Sequence, residues 1–154
     1  MTPTTESCLA CELADGRRPL PGGLIWRTEH WLVEHCVGPL GLGSLIVKPE
    51  RHITALADLT EEEAVELGPL LRRAAAVARG LVDSKQVYTC LWSHAGGVPV
   101  HIHFVVQPVT AAQMATHGAY GPSLQVSMFE LGETPTPSDV ERVAASARRA
   151  FEAT

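Results

Sequence analysis

Residues 98–108 read Val-Pro-Val-His-Ile-His-Phe-Val-Val-Gln-Pro. Two histidines, His101 and His103, alternate with apolar residues in a β-branched run. A strand has period two, so both rings share one face of a sheet while Ile102 and Phe104 turn toward the other. Two imidazoles side by side offer two metal ligands, or one ligand and one nucleophile. They also fit half-exposed polar residues opposite a core face, because alternation alone places polar residues there.

A second group stands at the start of the chain. Cys8-Leu9-Ala10-Cys11 is a Cys-x-x-Cys pair, which one loop or helical turn can aim at a single tetrahedral metal. His52 follows the apolar run Ser44-Leu45-Ile46-Val47, and His101 begins the His-x-His strand. Cys8, Cys11, His52 and His101 together make a Cys₂His₂ set, which describes a closed zinc site. A redox pair would follow a strand and open a helix, and no strand precedes Cys8. A disulfide framework fits small secreted chains, and no signal peptide is read here. Two unrelated free thiols fit the spacing as well. Cys36 and Cys90 lie in apolar segments, as buried thiols do.

The elements that must position these residues follow from periodicity and punctuation. The chain has 154 residues, a size that fits one domain, 1–154, with its own core. Residues 1–7 read as loose, and Cys8 to Ala14 as a short helix. Strands are expected at Leu24–Thr28, Trp31–Val37 and Gly43–Val47. Thr60 and Glu63 form a capping box that opens a long helix reaching Leu81, and Gly68-Pro69 should kink or restart it. Further strands are expected at Gln86–Trp92 and Val98–Gln107, joined by a tight turn over Ser93–Gly97. Thr110 to Thr116 reads as a short helix. Residues 117–137, rich in Gly and Pro, read as irregular and as a candidate lid. Ser138 and Glu141 mark the start of a C-terminal helix reaching Phe151. Strands, helix, strands and helix joined by short turns predict an α+β fold with a mostly antiparallel sheet.

Composition excludes some classes. Charged residues make up 19% and the net charge is −5, which argues against a nonspecific grip on nucleic acid. No apolar run is long enough for a membrane span. Four cysteines without a secretory signal fit a reducing cytoplasm.

These pieces, in this order, resemble the histidine-triad (HIT) superfamily of nucleotide hydrolases and transferases. The matching residues are Cys8 and Cys11, Gly43 through His52, the helix start at Leu59–Glu63, and Gly96-Gly97 leading to His101, His103 and Pro108. The resemblance covers roughly residues 8–110. It implies an antiparallel sheet with a long helix, a homodimer, and a nucleotide or other phosphorylated small molecule as partner. His103 matches the family's nucleophile, which forms a covalent nucleotidyl-imidazole. Gly96 and Gly97 match the loop whose amides approach the phosphate, with Ser93 beside them. His101 matches the first triad histidine. In the zinc-containing members, including the galactose-1-phosphate uridylyltransferase branch, that histidine binds zinc with positions that Cys8, Cys11 and His52 occupy here. Four protein ligands leave no open position for water, so the Zn²⁺ is expected to be structural.

The departures are as informative. The third triad position is Val105, where the family has histidine and the uridylyltransferase branch glutamine. Gln107, on the same strand face, is the candidate stand-in for that phosphate contact, or else an exposed polar residue at the strand end. The glutamine and the serine or threonine usual before the strand are Gly97 and Val98. The ribose-binding acid falls near Cys36. His35 is the expected substitute, with Glu34 the alternative, since alternation lets only one of the two face the pocket. His94, in the turn, is a candidate acid for the leaving group or an exposed loop histidine, and His30 and His117 receive no role. Two readings follow: a hydrolase or transferase acting at phosphorus, and a non-catalytic binder of a nucleotide or phosphometabolite.

Overall fold

A computed structural model describes residues 7–154, so the expectation for 1–7 falls almost wholly outside the described residues. Among the described residues there are five strands and five α-helices. The strands are β1 (Leu24–Arg27), β2 (Trp31–His35), β3 (Leu45–Pro49), β4 (Ser84–Ala95) and β5 (Val98–Thr110). They form one antiparallel sheet in the order β1-β2-β3-β5-β4. The helices are α1 (Leu9–Ala14), α2 (Glu61–Leu81), α3 (Ala111–His117), α4 (Pro122–Leu131) and α5 (Pro137–Glu152). The α+β architecture expected from the sequence is the one observed.

Alternation along the strands sorts the two faces of the sheet. Trp31, Val33, Leu45, Val47, Phe104 and Val106 turn to one face and pack on α2 and α5 through Leu70, Ala74, Val77, Ala144 and Phe151. Each large side chain fully buried in such a core contributes roughly 1.5–3 kcal/mol. On the opposite face Ile46, Val105 and Val109 pack beneath α4 through Leu124 and Met128. His101 and His103 lie on the Val105 side, so one strand feeds a core from one face and a site from the other.

Helix α2 opens with the expected box. The Glu63 amide donates to Thr60 Oγ1 at 3.2 Å, and the Thr60 amide donates to Glu63 Oε2 at 2.8 Å. Glu63 also accepts from Arg51 Nε at 3.0 Å and Nη2 at 2.8 Å. That forked contact pins the loop carrying His52 to the helix start.

Four local expectations need correction. Pro69 does not break α2, which runs without interruption from Glu61 to Leu81. Gly68, Pro69 and Val65 are exposed, so the carbonyl that loses its partner faces water. The Ser93–Gly97 turn shrinks to Gly96-Gly97, whose φ of 59° and 79° make a two-residue turn that only glycine enters freely. Ser93 and His94 belong to β4, where the pairing slips between Trp92 and His94. The segment 117–137 is not irregular throughout, because α4 occupies Pro122–Leu131 with Leu124, Gln125 and Met128 buried. Finally, α5 is capped by Thr136, whose hydroxyl accepts from the Asp139 amide, with Pro137 at the first helical position. Ser138 is already inside the helix.

Candidate active site and metal centre

The Cys₂His₂ set comes together from three separated stretches. Cys8 and Cys11 flank the first turn of α1, and His52 follows β3. His101 lies in β5, and the Ile102 amide donates to the Ile53 carbonyl at 2.9 Å, holding the last two together. The ligand atoms of all four residues lie within 4.8 Å of one another. Cys11 Sγ is 3.4 Å from His52 Nδ1 and 3.5 Å from His101 Nδ1, and Cys8 Sγ is 3.7 Å from His101 Nδ1. A tetrahedral zinc with ordinary Zn–S and Zn–N bonds has sulfur–nitrogen edges of about 3.5–3.6 Å. The four residues therefore fit zinc in donor type and in spacing.

Two further features suit that ion. His101 Nε2–H donates to the Pro49 carbonyl at 2.9 Å, which leaves Nδ1 unprotonated toward the sulfurs. Burial lowers the His101 pKa to about 4, so the ring is neutral at pH 7, as a ligand must be. Burial and the neighbouring Cys8 push the Cys11 thiol up to about 11. A divalent cation is the partner that reverses such a shift.

His103 stands two residues on, over a cavity of about 440 Å³. Its Nδ1–H donates to the His101 carbonyl at 3.1 Å. Nε2 is then the nitrogen with the free lone pair. Burial lowers the His103 pKa, and the Lys48 charge adds to the effect. A neutral ring at pH 7 is the nucleophilic form. The Trp92 ring lies 6.3 Å from His103 and 5.1 Å from Phe129 of α4, so these aromatics wall the cavity beside the imidazole.

The remaining expected residues lie apart from His103. Gln107 is fully buried beneath α4 and does not line the cavity. Its amide donates to the Leu40 carbonyl at 2.9 Å and accepts from Gln125 Nε2 at 3.1 Å. His35 turns away from the cavity, as strand alternation requires once Glu34 faces it. Its Nδ1–H donates to the Cys36 carbonyl at 2.8 Å and its Nε2 accepts from the Gly43 amide at 2.9 Å, so both nitrogens are committed. His94, Gly96 and Gly97 lie exposed at the end of the β4–β5 hairpin, and neither they nor Ser93 line the cavity.

Sequence reasoning passed over a buried ion pair. Lys48 Nζ donates to Glu34 Oε1 at 2.7 Å and to the Ala10 carbonyl at 2.8 Å. Both side chains line the cavity, and burial raises the Glu34 pKa against the opposing pull of Lys48. The readable signal was one charge of each sign on two adjoining apolar strands. Cys36 also lines the cavity, but burial pushes its thiol up to about 11, so it is no thiolate.

No family model matches the sequence. Solved structures do match the fold. A Zn-bound histidine triad family protein from Mycobacterium smegmatis is 21% identical, with a TM-score of 0.68, over 97% of this chain and 96% of that one. This chain has the histidine-triad fold. A hypothetical histidine triad nucleotide-binding protein from Sulfolobus tokodaii shares it at 16% identity and a TM-score of 0.70, over 95% of this chain and 93% of that one. A uridylyltransferase shares it at 22% identity and a TM-score of 0.61, with 96% of this chain covering 46% of that one. Within the histidine-triad fold, Cys8, Cys11, His52 and His101 form a possible metal site. Among the described residues no helix is long and apolar enough to cross a membrane.

Proposed function

We propose that this protein is a histidine-triad enzyme that cleaves or transfers at a phosphorus bond of a nucleotide or related phosphorylated small molecule. His103 is the nucleophile. The observation that carries the reading is the bond from His103 Nδ1–H to the His101 carbonyl, which leaves Nε2 with a free lone pair on a ring lining the cavity.

The reaction has two steps. The Nε2 lone pair forms a bond to phosphorus while the bond from phosphorus to the leaving oxygen breaks. That oxygen keeps the electron pair and takes a proton from solvent. Water or the hydroxyl of a second acceptor then attacks phosphorus and loses a proton to solvent, while the N–P bond breaks and its electron pair returns to Nε2. Zinc, when bound by Cys8, Cys11, His52 and His101, supplies a fixed anchor for α1, the His52 loop and β5. Lys48 is positioned to offset negative charge near His103. The neighbours described as a nucleotide-binding protein and a uridylyltransferase support the choice of a nucleotide.

A second reading, a binder without turnover, draws on the wall around His103. Val105, Cys36 and Ile46 line the cavity and donate little to a phosphate. Intact mass after brief incubation with nucleotides, dinucleoside polyphosphates and sugar nucleotides, quenched without acid, separates the two. A nucleotidyl adduct that disappears in His103→Ala establishes the enzyme. Binding by thermal shift with neither adduct nor turnover establishes the binder.

A further inference from the structure

Among the described residues, Glu34 and Lys48 are the one carboxylate and the one ammonium lining the large cavity. Glu34 stands opposite Ile46 and Lys48 opposite Leu32, so the pair bridges β2 and β3 diagonally on the cavity face. Lys48 satisfies Glu34 Oε1 and is itself tied to the Ala10 carbonyl. Glu34 Oε2 is buried and has no hydrogen-bond partner. Its side chain is only 3% exposed. Nearby cavity residues, Ile46, Cys36 and Leu13, are apolar or weakly polar. Glu34 also borders a smaller cavity of about 330 Å³, whose Arg18 and Arg27 are paired with Glu12 and Glu50. A native fold that keeps a buried acceptor unsatisfied beside a cavity has a place for a donor from outside the chain.

Charge and distance say which donor. A carboxylate repels a phosphoryl group, so phosphate belongs at the His103 end and a neutral N–H at the Glu34 end. Strand β3 separates β2 from β5, and Glu34 is in register with Ile46 and Val105, so His103 stands two strands across and two residues along, about 12 Å away. A ligand touching both must carry a body between its phosphate and its donor. Ile46 and Val105 continue the row of Glu34 across the sheet as an apolar floor suited to the face of a flat ring, with Lys48 beside it on the His103 side.

We propose that Glu34 Oε2 accepts a hydrogen bond from an N–H of the heterocyclic base of the bound nucleotide, with Lys48 holding the carboxylate in place. Glu34 is thus a specificity-determining residue. This rests on the nucleotide reading above.

The test is calorimetric binding of the zinc-loaded protein to uridine, guanosine and adenosine monophosphates. Each is paired with a derivative whose base N–H groups are methylated, and ribose phosphate is the baseless control. Wild type should bind at least one unmethylated nucleotide about tenfold or more tighter than its methylated partner. In Glu34→Gln, which turns an N–H₂ toward the ligand, that preference should vanish or reverse. Glu34→Leu combined with Lys48→Met removes both charges together, so a folding defect from a lone buried ammonium does not blur the result. Methylated and unmethylated partners bound equally by the double variant, whatever their common affinity, support the proposal, and a preference that survives in it overturns the proposal. Equal binding of every pair by wild type overturns it and leaves the phosphorus chemistry standing, with water as the partner of Oε2. No binding of any nucleotide or of ribose phosphate overturns both.

Discussion

The His101 carbonyl accepts the His103 ring N–H at 3.1 Å, while the His101 ring points its Nδ1 at two cysteine sulfurs. One residue thus joins the metal set through its side chain and orients the proposed nucleophile through its backbone. Any displacement of His101 moves the acceptor that fixes the His103 tautomer. Metal loss should therefore be felt in reactivity as well as in stability.

Zinc content should be about one per chain, and Cys11→Ser should lower it. Structural zinc contributes directly to folding free energy, so chelation should lower the melting temperature of wild type and change that of Cys11→Ser far less. Nucleotide turnover should fall about 10- to 100-fold in the variant, the usual range when a group that orients a site is disturbed. Elemental analysis, thermal melts and steady-state rates on the same preparations check all three. Wild-type protein that holds no zinc when refolded with it would remove the metal reading.

Gln107→Ala should act on stability. The substitution removes one of two donors to the Leu40 carbonyl, which keeps Ser44 Oγ, and one of two acceptors of Gln125 Nε2, which keeps Cys90 Sγ, and it leaves a void beside Met128. Two lost buried hydrogen bonds and a cavity of this kind cost about 2–4 kcal/mol together. Denaturant midpoints should drop accordingly, with turnover at low temperature within a few-fold of wild type. A large loss of turnover with an unchanged midpoint would restore the phosphate contact expected from the sequence.

The contrast between Cys11 and Gln107 shows what the sequence made legible. Metal-binding residue types at short spacings are unusual enough to be read directly, and Cys8, Cys11, His52 and His101 do converge. Strand alternation correctly put Gln107 on the face of His103, but it says nothing about what covers that face. The cover is α4, hidden in the sequence because Gly121, Pro122 and Gly132 bracket only ten residues. Glu34 is legible as the alternative to His35, but its ion pair with Lys48 is not. In a strand buried along its whole length, a charge has meaning only once its partner on the next strand, Lys48, is known.

Phe129 gives α4 a second use. It is 53% exposed, yet it meets Trp92 edge-on at the cavity wall. Aromatic pairs of this kind contribute about 0.5–1.5 kcal/mol. Phe129→Ala should lower the melting temperature by only a few degrees and raise the KM for nucleotide by up to about tenfold, with kcat within a few-fold. A change confined to kcat would place Phe129 outside the binding wall.

His35 should make stability fall in mild acid. Its Nδ1–H is given to the Cys36 carbonyl, and its Nε2 must stay unprotonated to accept the Gly43 amide. Protonation would set N–H against N–H inside the fold, and burial accordingly lowers the folded pKa below 6.5. The unfolded chain then binds the proton more readily than the native one. Stability is complete above about pH 6.5, falls as the pH drops below that value, and stops falling from this source once the pH is under the folded pKa. The slope from one such group reaches at most about 1.4 kcal/mol per pH unit. His35→Gln should be less stable than wild type at pH 7, because one of the two backbone contacts is lost. Its urea midpoint should decline less steeply between pH 6.5 and 5, a difference that cancels the contributions of the other histidines. Parallel declines in the two proteins would show that His35 accepts a proton without loss of its backbone contacts.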